Sequence, residues 1–458
     1  MLFHSQIFLL AFLPATLALY YRLAENANGR QRLLIVASLI FYGWWDIRFV
    51  PLLLGQVVMT WTMAAIHFQT GSRLPIWLAI YANLSVLALF KYLDFLVSIA
   101  EQGLGVPLPR AGLILPIGIS FYTFQLVSYL VDVLRGEAKH YELRKLTLFV
   151  VLFPHLIAGP IVRHNEIIPQ FALDPLRAGA AERISRGLAL LVSGIALKVF
   201  LADSLARIAD PTFVAIERAV PSFSDAVAGT LAFALQVFFD FAAYSDMAIG
   251  LALMMGLHFP LNFNQPYRAT SLRQFWRRWH MTLSRFLRDY VYIPLGGSRE
   301  GTARYLFATF ATMGLCGLWH GAGWTFIIWG LAHAAGLAIC RFWDDADLPM
   351  PPALGWLLTF FFTVALFGLF RSPDLTSAYR LGIGLAGAGA IGKPWSINTI
   401  MTLLVATGLA LAPVTFKDAL DRWLVATRLT AAALAATAFY ALLVVGEGQP
   451  KNFIYFQF

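Results

Sequence analysis

The sequence predicts an all-α, polytopic integral membrane protein. Three observations predict it. Hydrophobic residues make up 59% of the chain and charged residues only 13%, where a soluble domain carries about 25% charged residues. Mean hydropathy is +0.69. Apolar runs close to the roughly 20 residues of a bilayer-crossing helix recur along all 458 residues. That leaves too little polar surface to coat a water-soluble body, so lipid must take the place of water.

Fourteen hydrophobic segments can be drawn, at about 5–22, 31–46, 49–68, 74–98, 111–133, 145–162, 184–202, 226–243, 245–258, 303–319, 324–342, 354–371, 399–414 and 430–446. Not all are expected to cross. Pro116 and Gly118 interrupt the fifth, and Pro154, His155, Gly159 and Pro160 the sixth. A broken helix at membrane depth needs protein or a water-filled cavity around its freed backbone groups. The expectation is about eleven to thirteen transmembrane helices plus re-entrant and interfacial pieces, in one membrane domain covering 1–458. The first run lacks a basic leader and more spans follow at once, so it reads as a retained helix rather than a signal peptide. Arg22, Arg30 and Arg32 after it place that loop in the cytoplasm and the N-terminus outside. No internal repeat is visible, which disfavours an inverted-repeat transporter.

The net charge is +9. In a membrane chain, Lys and Arg collect in cytoplasmic loops beside anionic headgroups. Inner-membrane lipid, not nucleic acid, is the expected partner. Cys316 and Cys340 both lie in apolar runs and define neither a disulfide framework nor a metal site.

One stretch departs from the pattern. Between 268 and 304 fall eight of the 34 basic residues: Arg268, Arg273, Arg277, Arg278, Arg285, Arg288, Arg299 and Arg304. Phe275, Trp276, Trp279, Leu283, Phe286, Leu287 and Tyr290 recur at helical spacing among them. The pattern predicts an amphipathic helix on the cytoplasmic surface, ended by Pro294, Gly296 and Gly297. Arg277, Arg278 and Arg285 are candidates to hold the phosphates of an acyl carrier, since guanidinium forks bind phosphate well. Anchoring to anionic lipid explains the same composition.

Beside the basic stretch, three features can carry chemistry. His320, in CGLWHGAGW, ends one apolar run and precedes another, with Gly317, Gly321, Ala322 and Gly323 around it. An ionisable group at membrane depth is a functional candidate, and imidazole suits general acid–base work near neutral pH. A hydrogen-bonded core histidine is the competing reading. His280, in RRWHMTLS, is expected to lean toward the membrane near Trp276, Leu283 and Leu287, either assisting a base or sitting at the interface. Asp240 and Asp246, six apart in an apolar stretch, do not share a helical face closely. Pairing with Arg or backbone, or lining a polar tunnel, suits them better than acting as a catalytic pair. There is no nucleophile elbow, no phosphate loop or dinucleotide fingerprint, and no metal-ligand spacing.

The string LWHGAGWTFIIWG resembles the signature of the membrane-bound O-acyltransferase family, whose invariant histidine is matched by His320. FWRRWHMTLSRFLRDYVYIPLGGS, FDFAAYSDMAIGLALMMG, FPLNFNQPY, PIGISFYTFQLVSYLVDVLRGE and FPHLIAGPIVRHNEIIPQF are similar to further blocks of that family, in the same order. The match is best to its exopolysaccharide (alginate-type) O-acetylating branch. The resemblance implies a ring of transmembrane helices around a thinned, funnel-like centre, with His320 near the narrowest point. It implies acetyl-CoA as a cytoplasmic donor with no bound cofactor or metal, and a periplasmic SGNH-like acetyltransferase as partner across the bacterial inner membrane. His320 then takes the acceptor hydroxyl's proton and His280 orients substrate or shares that proton. Trp319, Asn262 and Asp246 are channel candidates.

The aromatic tail 453–458, FIYFQF, holds one hydroxyl, Tyr455. A similar tail in the partner of the related teichoic-acid D-alanylation machinery suggests Tyr455 as a transient acyl acceptor. An interfacial aromatic anchor is the other reading. Two rival functions stay open: a transporter or scramblase without covalent chemistry, and an acyltransferase that modifies a lipid or protein with a long-chain donor.

Overall fold

The computed structural model of the protein describes residues 1–415, 418, 428–446 and 453–454. Among the described residues every regular element is a helix. Six helical stretches among the described residues are long and apolar enough to cross a bilayer: Ala27–Thr70, Leu74–Leu104, Ala180–Ala215, Phe223–Met254, Trp324–Asp345 and Pro352–Arg371. Phe8–Arg22, Ile397–Ala410 and Ala432–Val444 are shorter apolar helices. The chain is an integral multi-pass membrane protein. Large apolar side chains stay exposed on these helices, among them Tyr81, Trp77, Ile40 and Phe361. In water such a surface would be an aggregation liability, whereas in lipid it is the solvent-facing side.

The two runs that proline and glycine interrupt in the sequence are broken helices. In the run 145–162, helix Leu143–Val151 ends at Leu152, whose ψ of 112° leaves the helical region. Only the four residues Phe153–Leu156 resume it. Pro154 cannot donate into a ladder, and the Phe153 N–H instead donates to the Ser38 hydroxyl at 3.0 Å. That is how a break away from water keeps its backbone satisfied. In the run 111–133 the helix starts only at Ile119, after Gly118. Gly118 has a φ of 75°, and a Cβ there would stand 2.6 Å from the Leu156 carbonyl oxygen, so glycine is required twice over.

The chain forms two compact units. The first comprises Met1–Ser193, Tyr244–Pro260 and Ala432–Asn452. Its core gathers Phe3, Phe8, Phe41 and Phe153. Several buried polar groups are paired within it. Gln125 Nε2 meets His155 Nδ1 at 2.7 Å, and His164 lies between Asp132 (2.9 Å) and the Tyr141 hydroxyl (3.1 Å). Arg30, expected in an exposed loop, is instead buried, and its guanidinium donates to the carbonyls of Ala24 and Leu173. A guanidinium can satisfy several orphan carbonyls at once.

The second unit comprises Gly194–Ala243, Leu261–Ala431 and Phe453–Phe458. Its centre is a helical hairpin, Gly301–His320 and Trp324–Asp345, joined by Gly321–Gly323. Lipid tails are as apolar as leucine, so the hydrophobic effect cannot draw two such helices together; close van der Waals contact does. Glycines permit it. A Cβ on Gly317 would stand 2.2 Å from the Phe326 carbonyl oxygen, and one on Gly330 2.1 Å from that of Met313. The backbones therefore touch directly.

The basic stretch is not one helix lying on a surface. It folds as Leu272–Arg278 and Met281–Leu287, followed by a π turn at Arg288–Tyr292. His280 breaks it with a φ of 41°. Phe275, Trp276, Trp279, Leu283, Phe286 and Leu287 are buried in protein. The apolar stripe expected to face lipid is covered by protein.

Candidate active site

His320 is the last residue of the Gly301–His320 helix. Gly317 lets the neighbouring backbone in, and Gly321 leaves room for the Phe326 ring, which a Cβ there would meet at 2.1 Å. The imidazole is buried at 5% exposure. Its ring lies against Trp319, Trp329 and Phe370, with centroids 4.9, 5.3 and 5.3 Å away.

His280 is fully buried. It does not lean toward lipid as its helical periodicity suggested, because its backbone is left-handed rather than helical. Such a conformation in a non-glycine residue is strained and needs surrounding structure to hold it. Asn262 supplies the hold. Its backbone carbonyl accepts from the Met281 N–H at 2.8 Å. Its Oδ1 accepts from the Thr282 hydroxyl at 2.8 Å and the Thr282 N–H at 3.3 Å, and faces His280 Nδ1 at 3.1 Å. An amide oxygen only accepts, so Nδ1 carries the hydrogen and the basic lone pair of His280 is on Nε2. Burial pushes the imidazolium form down to about 3, so this ring is neutral across physiological pH. The Trp319 ring is 6.0 Å from His280 and 4.9 Å from His320, centroid to centroid. His320, His280, Trp319 and Asn262 thus share one site.

Asn262→Ala should strip the acceptor from the Thr282 and His280 donors. Each buried donor left unmet costs about 1–3 kcal/mol. The expected result is a lowered unfolding temperature in detergent together with lost activity. An unchanged melting profile would show that the turn is held by other groups.

The same unit holds a cavity of about 540 Å³, within the range of roughly 300–1,000 Å³ typical of ligand sites. Its lining does not include His320, His280, Trp319 or Asn262; the Trp276 and Trp329 rings connect the two, Trp329 packing on His320. Arg273, Arg277, Arg288 and Arg341 line it, with Ser284, Ser298, Tyr292 and Thr309. Thr312 and Met313 form its wall on the helix that ends in His320, roughly 10–12 Å further along at 1.5 Å per residue. Asp344 and Asp345 also line it; Asp344 pairs with Arg273 at 2.7 Å and Asp345 with Arg341 at 3.3 Å. Of the three arginines singled out from sequence, Arg277 lines the cavity. Arg278 and Arg285 are half-buried and are not among its lining residues.

His333 joins the site from the second hairpin helix, and sequence reasoning passed over it. Trp276, a cavity residue, donates its indole N–H to His333 Nδ1 at 3.3 Å. The His333 ring lies 4.7 Å from Trp329, which also packs on His320. An ionisable residue inside an apolar run was the available signal.

The two carboxylates part company. Asp240, in the second unit, pairs with Lys198 at 2.7 Å. The expected partner was arginine or backbone; it has a lysine and, as described below, a backbone N–H. Asp246 is half-buried in the first unit. Tyr455 lies outside the described residues.

The second unit thus combines buried imidazoles in an aromatic cage with an arginine-walled cavity. The model of the membrane-bound O-acyltransferase family matches residues 39–371, and the chain belongs to that family. It is similar to the probable alginate O-acetylase AlgI of Pseudomonas aeruginosa, 42% identical over 394 residues, which are 83% of this chain and 74% of that protein. It is also similar to the peptidoglycan O-acetyltransferase of Helicobacter pylori, 37% identical over 431 residues (85% of this chain, 81% of that protein). A more distant likeness is to the teichoic acid D-alanyltransferase of Bacillus subtilis, 30% identical over 250 residues (52% and 61%).

Proposed function

We propose that the protein moves an acetyl group from cytoplasmic acetyl-CoA across the bacterial inner membrane, for O-acetylation of an alginate-like exopolysaccharide by a periplasmic SGNH-like partner. The observation that carries this reading is the arginine-walled cavity bounded by the helix that ends in His320. Arg277, with Arg273, Arg288 and Arg341, offers forks to the donor's phosphates. The thioester then reaches along the Thr312–Met313 wall toward the imidazole. The acceptor oxygen attacks the thioester carbonyl carbon, His320 takes the hydroxyl proton, the C–S bond breaks, and the thiolate leaves with that proton returned to it. Neutral His280 accepts a hydrogen bond at Nε2 and orients the acceptor. In this reading the hydroxyl of Tyr455 is the transient acceptor, which hands the acetyl to the periplasmic partner. The names of the relatives in Pseudomonas and Helicobacter, both O-acetylating, support the acetyl group.

The test is thiol release from acetyl-CoA by the purified protein, followed with a thiol reagent in the presence and absence of the periplasmic partner. Partner-dependent release is expected; none with an active partner present would favour a transporter without covalent chemistry. Arg277→Gln and Arg341→Gln should each raise KM for acetyl-CoA roughly tenfold with little change in kcat, the loss of about one charge-assisted hydrogen bond. KM unchanged in both would remove the cavity from the donor site.

A further inference from the structure

A buried cationic group in the second unit is not used by this chemistry. Helix Ala180–Ala196 passes into a π turn over Leu197–Ala202 before Asp203–Ala215 continues it. In α geometry, residues five apart point well away from each other. The i→i+5 bonding of a π turn brings them toward one face, and Lys198 Nζ meets Asp203 Oδ1 at 2.9 Å. The same ammonium meets Asp240 Oδ1 at 2.7 Å, from helix Phe223–Met254. Lys198 and Asp240 are 3% and 1% exposed.

Two carboxylates against one ammonium leave an acceptor surplus in an apolar setting, where an unmet charge is strongly unfavourable. The chain's own late segment answers it. Ile454 donates its backbone N–H to Asp240 Oδ2 at 2.6 Å, and the Phe453 ring stands 4.9 Å from the Lys198 ammonium. Both residues are buried, although more than 200 positions separate them from Asp240. The contacts read two independent features of the segment: a main-chain donor by a carboxylate, and an aromatic face by a cation.

We propose that Lys198 and Asp240 form a dock for the aromatic segment that begins at Phe453, and that they act as positioning residues for the residue directly after it, Tyr455. The dock fixes where the chain stands at Ile454 and hence where the following hydroxyl starts from. Its purpose rests on the acyl-relay reading of Tyr455; the contacts themselves do not.

The test is therefore independent of catalysis. Ile454→Cys keeps the donated N–H and places a thiol at a buried position. Its alkylation by a hydrophilic maleimide is read at that peptide by mass spectrometry, which separates it from Cys316 and Cys340. In the otherwise unchanged protein it should react slowly. Lys198→Met together with Asp240→Leu removes the buried pair as a unit, a replacement that folded proteins often tolerate, and leaves without its ammonium only Asp203, which is partly exposed. In that background alkylation should speed up roughly tenfold or more, as the loss of a charge-assisted hydrogen bond implies. Phe453→Ala in the Ile454→Cys protein should do the same without touching the helices, and it decides the matter if the double variant does not fold. Equal protection in these variants overturns the dock. Partner acetylation is read in parallel without Ile454→Cys. Faster alkylation with full partner acetylation keeps the dock and refutes its positioning role, whereas unchanged alkylation refutes the dock whatever the activity.

Discussion

Replacing His320 with glutamine should lower acetyl transfer by roughly 10²–10⁴-fold, the usual scale of one general acid–base group. Glutamine nearly fills the space left among Trp319, Trp329 and Phe370, so the fold should survive and KM for the donor should change little. The loss should fall on kcat. Retained folding is checked by elution as a single species in detergent, and the rate by thiol release from acetyl-CoA. A variant that elutes normally and still turns over within a few fold of the parent would strip His320 of the role of base. The pH profile sharpens the comparison. Burial holds His280 neutral down to about pH 3, so an activity decline between pH 7 and 5 belongs to another group and should persist in His280→Gln.

The second large effect is expected on stability. Gly317→Val would drive a side chain into the Phe326 carbonyl, which stands 2.2 Å from where its Cβ must go. The obstacle is backbone, so no rotamer change relieves it. Overpacking usually costs about 1–3 kcal/mol where side chains can yield, and here they cannot. The hairpin should separate and little folded protein should reach the membrane. Gly314→Ala, three residues earlier, meets only the Leu331 side chain at 3.5 Å and should be tolerated. Equal membrane yields for the two would contradict the backbone contact.

Part of the candidate site was legible because its residues lie close together in sequence. His320 and Trp319 are adjacent, and glycines around them announced close packing. Asn262 and His280 were named separately, and the structure joins them through hydrogen bonds that no periodicity reveals. The left-handed turn at His280 was not legible: histidine has no strong preference for it, and it is imposed by Asn262 from outside the segment. Reading the basic stretch as one helix followed from that omission. Arg341 was hidden inside an apolar helix, where a lone guanidinium is diluted by its neighbours. Lys198 escaped notice for the same reason. The fold class needed only composition. The breaks near Leu152 and Gly118 are announced by Pro154 and Gly118 themselves, whereas their partners Ser38 and Leu156 are not, because they come from elsewhere in the chain.

The acidic pair Asp344 and Asp345 bears on how quickly such a site could empty. In the proposed reaction a carrier that has surrendered its acetyl group departs with every phosphate it brought, so a wall of unopposed guanidinium would hold spent and loaded forms alike and stall the cycle. With Arg273 and Arg341 already tied to carboxylates, an arriving phosphate must trade places with an internal partner, and that partner is at hand to reclaim its arginine. Grip and release are then set against each other within one wall, which favours throughput over tight capture.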